Sequence, residues 1–65
     1  MRFYKAKITK VNKDLGYFFA TTNTKKHEVF CTVPKEVIHY FKINREIKVA
    51  YINTERGYFV IDYIY

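Results

Sequence analysis

The chain is predicted to be all-β, a small five-stranded antiparallel barrel with a short helical turn after the third strand. Two features lead there. Polar and apolar residues alternate with the period of two that marks a half-buried strand, and Asn, Asp and Gly clusters separate the alternating runs. Closure into a barrel follows from size, because a chain of 65 residues has little else with which to cover the edges of an open sheet.

Residues 3–11 place Lys5, Lys7 and Thr9 on one side and Tyr4, Ala6 and Ile8 on the other, which is the first strand. Asn12-Lys13-Asp14-Leu15-Gly16 supplies turn chemistry, and Tyr17 to Thr22 resumes the extended pattern to complete a hairpin. Asn23-Thr24-Lys25-Lys26 is the next polar loop, and His27 to Val33, rich in β-branched and aromatic residues, is the third strand. Pro34 fixes its own φ and disfavours helix at Val33, so a helical turn is expected over Pro34 to Phe41, with Val37, Ile38 and Phe41 capping one barrel end. Ile47, Val49 and Tyr51 alternate with Lys48, Ala50 and Ile52 as the fourth strand. Asn53-Thr54-Glu55-Arg56-Gly57 turns the chain into a fifth strand, Tyr58 to Tyr65, whose near-continuous apolar run predicts burial on both faces over part of its length. No repeat, linker or low-complexity tract interrupts this single domain.

A chain this short buries only roughly 60% of the surface it exposes when unfolded. Dense packing must compensate, and a composition 49% hydrophobic with seven Tyr and six Phe supplies it. Thirteen aromatic rings exceed what so small an interior holds, so some must lie at the surface. The charge is uneven as well. Residues 1–33 carry seven basic against two acidic side chains, a net of +5, whereas residues 34–65 carry five against four, a net of +1. A polyanion is the natural partner of the first half, since each phosphate contact releases condensed counterions. Lysines that merely protect strand edges and keep the chain dispersed are the plainer reading.

Most of that charge surrounds two aromatic segments, Gly16-Tyr17-Phe18-Phe19-Ala20 and Glu28-Val29-Phe30-Cys31-Thr32. Strand geometry sends Tyr17 and Phe19 to one face, where Phe30 joins them from the next strand, while Phe18, Ala20, Val29 and Cys31 point the other way. A barrel has one interior, so both faces cannot be core. Three rings among lysines form a platform on which unpaired bases stack.

These segments resemble the cold-shock domain, an OB-type five-stranded barrel that binds single-stranded RNA and DNA, and the likeness spans nearly the whole chain. Ala6 to Ala20 aligns without gaps to the family's Gly-Lys-Val-Lys-Trp-Phe-Asn, three variable residues and Gly-Phe-Gly-Phe-Ile. Glu28-Val29-Phe30-Cys31-Thr32 resembles its Asp-Val-Phe-Val-His; Val49-Ala50-Tyr51 and Arg56-Gly57 resemble segments around its last turn. The resemblance implies stacking roles for Tyr17, Phe19 and Phe30, basic positions at Lys7 and Lys13, and a further base-contacting ring at Phe41. Lys10 and Arg56 join Lys7 and Lys13 as expected phosphate ligands. The implied function is low-specificity binding of single strands in the regulation of gene expression.

The departures matter equally. Lys10 stands where the family has Trp, Val11 where it has Phe, Thr32 where it has His, and Val33 where it has Phe, so four family ring positions lack rings. At roughly 1–3 kcal/mol per stacked base, weaker and more salt-sensitive binding is expected. The alternative is that the same face docks a protein of the transcription, translation or RNA-decay machinery, since Tyr and Phe patches serve protein interfaces too. Inside, Phe18 replaces a family Gly and Ala20 an Ile, a paired change in volume that keeps packing density.

Other chemistries find little footing. Cys31, His27 and His39 fall short of the four ligands of a structural zinc site, so no metal or cofactor is expected. Cys31 reads as a small buried hydrophobe, His27 as a solvated loop end and His39 as a surface residue. No Ser, Cys or His has an orienting partner, so no enzyme activity is expected. No stretch resembles a signal peptide or reaches the roughly 20 apolar residues of a membrane helix, so the expected location is cytoplasmic and no membrane partner is expected.

Overall fold

A computed structural model describes all 65 residues. Its strands are β1 (Tyr4–Asn12), β2 (Tyr17–Thr22), β3 (Glu28–Thr32), β4 (Glu46–Thr54) and β5 (Gly57–Ile64), with one 3-10 turn, Ile38–Tyr40, between β3 and β4. They close in the order β1-β2-β3-β5-β4, a small all-β barrel of OB type. Four of the five pairings are antiparallel. The fifth departs from the all-antiparallel expectation: β3 and β5 run parallel, joined only through Val29 opposite Tyr58 and Phe30 opposite Phe59. A parallel pair needs a long crossover, and the 3-10 turn with β4 provides it.

The predicted alternation in β1 holds. Ala6 and Ile8 are fully buried while Lys5, Lys7 and Thr9 are exposed. A bulge between Ile8 and Lys10 shifts the pairing with β2, so that Thr9 and Lys10 both face outward. Beside it, the Asn44 N–H donates to the Ile8 carbonyl at 2.8 Å and the Ile8 N–H to the Arg45 carbonyl at 2.9 Å. The segment before β4 thus extends the β1–β4 pairing one step past Lys7 and Glu46, on the edge of β1 opposite the bulged β2 side.

The interior is built from the inward residues of four strands, Ala6, Ile8, Phe18, Ala20, Val29, Cys31, Ile47 and Val49, closed by Val33, Ile38 and Phe41. Phe18 and Phe41 stack with centroids 4.7 Å apart and planes at 14°. Ala6 and Ala20 are the small side chains of the same fully buried cluster. Ile38 and Phe41 cap the barrel end as expected from their spacing, with Val37 half-buried beside them.

Two expectations need amendment. No residue of β5 is fully buried: Tyr58 to Val60 are half-buried, and Ile61 and Ile64 are exposed. Tyr58, Val60 and Tyr63 pack against the core, so this apolar run conceals an ordinary alternation broken by a shift opposite Ala50 and Tyr51. His27 is not a solvated loop end. It is half-buried and lies flat on Tyr58 at 4.2 Å, with its Nδ1 2.9 Å from the Tyr51 hydroxyl. Thr22 holds it there, the buried Oγ1 accepting from the His27 N–H at 2.9 Å. No helix is long and apolar enough to cross a membrane.

Candidate nucleic-acid interface

The hairpin turn between β1 and β2 sets the orientation of the aromatic face. The Gly16 N–H donates to the Asn12 carbonyl at 2.9 Å, and the Asn12 side-chain oxygen accepts from the Leu15 N–H at 2.9 Å. Gly16 has φ +77°, and a Cβ there would sit 2.7 Å from the Val33 carbonyl oxygen. The Val33 N–H in turn donates to the Gly16 carbonyl at 2.9 Å. Only glycine fits this close crossing of turn and strand end. With the turn set, Tyr17 and Phe19 emerge on the outer face of β2.

There the side chains form a continuous rung across the barrel wall. Lys10 on β1 is opposite Phe19 on β2, Phe19 is opposite Phe30 on β3, Phe30 is opposite Phe59 on β5, and Phe59 is opposite Ile52 on β4. Ring centroids are 5.1 Å apart for Phe19 and Phe30 and 5.8 Å for Phe30 and Phe59, with Tyr17 5.3 Å from Phe30 and 5.8 Å from Phe19. Tyr17 meets Phe19, and Phe30 meets Phe59, edge to face at 90° and 88°, and Phe30 is tilted against Tyr17 and Phe19 at 41° and 60°, so the rings stay splayed. Asn12 Nδ2 donates to the Tyr17 hydroxyl at 3.3 Å, steadying that ring.

All four rings are half-buried, yet none belongs to the core or packs against it. Their cover comes from one another and from cations. The Lys10 ammonium sits 5.9 Å from the Phe19 centroid, within the reach of a cation–π attraction. Arg56, exposed in the β4–β5 turn, lines a groove of about 300 Å³ with Phe19, Glu28, Phe30 and Phe59. Lys7 is exposed farther down β1, in a polar hollow with Thr9, Thr21, Asn23 and Lys26. Lys13 is exposed in the first turn, beside Lys42 and Ile43.

The structure thus gathers Lys10, Tyr17, Phe19, Phe30 and Arg56 on one face, with Lys7 and Lys13 at its margins. It does not place Phe41 there. That ring is fully buried against Phe18 and also meets Tyr63 and Tyr65 edge-on, so it is a core residue and not a base-contacting one. Its position follows from the aromatic Phe18, which offers it an inward partner. Of the four residues that stand where the cold-shock pattern has a ring and this sequence has none, Val33 is buried and Val11 packs against the core, whereas Lys10 and Thr32 are exposed. Phe59 was hidden in the apolar run of β5. The signal that finds it is the inward pair Tyr58 and Val60, which forces Phe59 outward between them.

Titration chemistry lies elsewhere. Burial pushes the Cys31 thiol up to about 11, which removes it as a nucleophile near neutral pH. The Tyr63 hydroxyl is raised by burial first, then by Cys31, Tyr65 and Asp62. No group of three or more His, Cys, Asp or Glu side chains is placed to hold a metal ion. Comparison with protein-family models, curated proteins and solved structures finds no match.

Proposed function

We propose that this chain is a cold-shock-like binder of single-stranded RNA or DNA, with low sequence specificity, acting in the regulation of gene expression. One observation carries the reading: Phe19, Phe30 and Phe59 stand outside the core in a row, with Tyr17 beside the first two and Lys10 and Arg56 flanking them. Splayed rings offer faces for bases to stack on, and the cations lie where the sugar-phosphate chain would pass. Stacking tolerates every base and phosphate contacts do not read sequence, hence the low specificity. Lys7, Lys10, Lys13 and Arg56 are the phosphate ligands. Four or five such contacts give a log K against log salt slope of roughly −3, at about −0.7 per contact. Titration of a labelled oligonucleotide across salt concentrations measures that slope, and absence of binding at low salt rejects the proposal.

A second reading draws on Ile52 and Ile61, which are 47% and 52% exposed on the β4–β5 side. They extend the apolar surface beyond the rings, as a face that docks a protein would require. Pull-down with and without nuclease separates the two readings: partners bridged by nucleic acid vanish on digestion, and direct partners persist.

A further inference from the structure

Resting on the single-strand reading above, we infer that the groove lined by Phe30, Phe59, Glu28 and Arg56 seats one unpaired base, with Phe59 as its stacking ring and Glu28 as the acceptor for a base amino group. The groove occupies about 300 Å³, at the lower end of small-ligand sites and suited to a single base more than to a length of strand. Its floor is aromatic. Phe30 and Phe59 are cross-strand partners on the parallel seam, with centroids 5.8 Å apart and planes at 88°, so a base lying on one ring has the edge of the other beside it.

The polar groups decide which part of a nucleotide enters. Glu28 and Arg56 both line the groove, and both are exposed. A carboxylate repels phosphate, so the Glu28 side excludes the backbone, whereas Arg56 attracts it. A nucleotide entering with its base over Phe59 and its phosphate towards Arg56 satisfies both. The carboxylate also accepts a hydrogen bond from an exocyclic amine, as carboxylates do from the amino group of cytosine, and thymine has no such donor. This β5 subsite compensates for Lys10 and Thr32 on the β1–β2–β3 side, shifting the platform towards β5.

Fluorescence anisotropy with short labelled oligo(dC) and oligo(dT) at low salt tests it, using Phe59→Leu, Phe59→Tyr and Glu28→Gln, each checked for fold by circular dichroism. Leucine keeps apolar cover without a π-face, and tyrosine restores the ring. The expected results are roughly 5- to 150-fold weaker binding for Phe59→Leu, near-normal binding for Phe59→Tyr, and a preference for oligo(dC) that narrows in Glu28→Gln. Wild-type affinity in Phe59→Leu, equal loss in Phe59→Tyr, or no discrimination between the oligomers by the wild type overturns the subsite. Failure of the wild type to bind either oligomer ends the single-strand reading itself, a different result from any of these.

Discussion

Neighbouring rings of β2 meet opposite fates. Phe18 lies inside, stacked on Phe41 and fully buried; Phe19, the next residue, lies outside among Tyr17, Phe30 and the Lys10 ammonium. One residue of strand phase separates a ring that holds the barrel together from a ring on its outer wall. The same contrast appears at the other end of the wall. Tyr51 and Tyr58 pack against the core and engage His27 by a hydroxyl contact and a flat stack, whereas Phe59 faces the groove. Aromatic content alone therefore says nothing of role; what each ring touches does.

Inner and outer rings should differ most in what their loss costs the fold. Phe18→Ala or Phe41→Ala should cost about 3–5 kcal/mol, the range for emptying a buried aromatic site, in urea-induced unfolding. Phe19→Ala should cost under about 1 kcal/mol, the scale of a cross-strand surface pair. Equal costs for the inner and outer rings would erase the distinction. In binding the order reverses: Tyr17→Ala and Phe19→Ala should each weaken oligonucleotide affinity by about 1–3 kcal/mol while remaining folded. Gly16→Ala probes the turn that sets the phase of β2. With φ +77° and the Val33 carbonyl 2.7 Å from the added carbon, it should lower unfolding free energy by about 1–3 kcal/mol.

Lys10→Ala should reduce the magnitude of the salt slope by about 0.7 if its ammonium meets a phosphate, and an unchanged slope assigns it to Phe19 alone. Cys31 gives a pH test. Its thiol is held protonated by burial, with the pKa raised from 9.0 to about 11, so the folded state binds this proton more tightly than the unfolded one. Its contribution to stability is complete below about pH 9 and is lost as the pH rises through about 11. Thiol-reagent labelling at pH 8 should accordingly be slow in the native protein and rapid in denaturant.

Much of this architecture is legible in the chain itself. The alternation of Tyr4 to Thr9, the Asn12–Gly16 turn and the outward trio of Tyr17, Phe19 and Phe30 follow from period and turn chemistry alone. What escapes is what depends on partners across the barrel. The direction of β5 against β3 leaves no periodic trace, because alternation is the same for parallel and antiparallel neighbours. Phe41 reads as a ring after a helical turn, and its inward course depends on Phe18, more than twenty positions earlier. Phe59 is masked because the residues around it are apolar on both sides, so hydropathy cannot separate the wall from the face.

The parallel seam has a mechanical consequence. Only two residue pairs join β3 to β5, which makes this the slimmest stave-to-stave joint of the barrel, and Phe30 and Phe59 straddle it. Anything laid across both rings bridges the joint like a clasp. Amide protons of β3 and β5 should then exchange more slowly once a strand is bound, so the molecule would stiffen along the line where it is most easily pried apart.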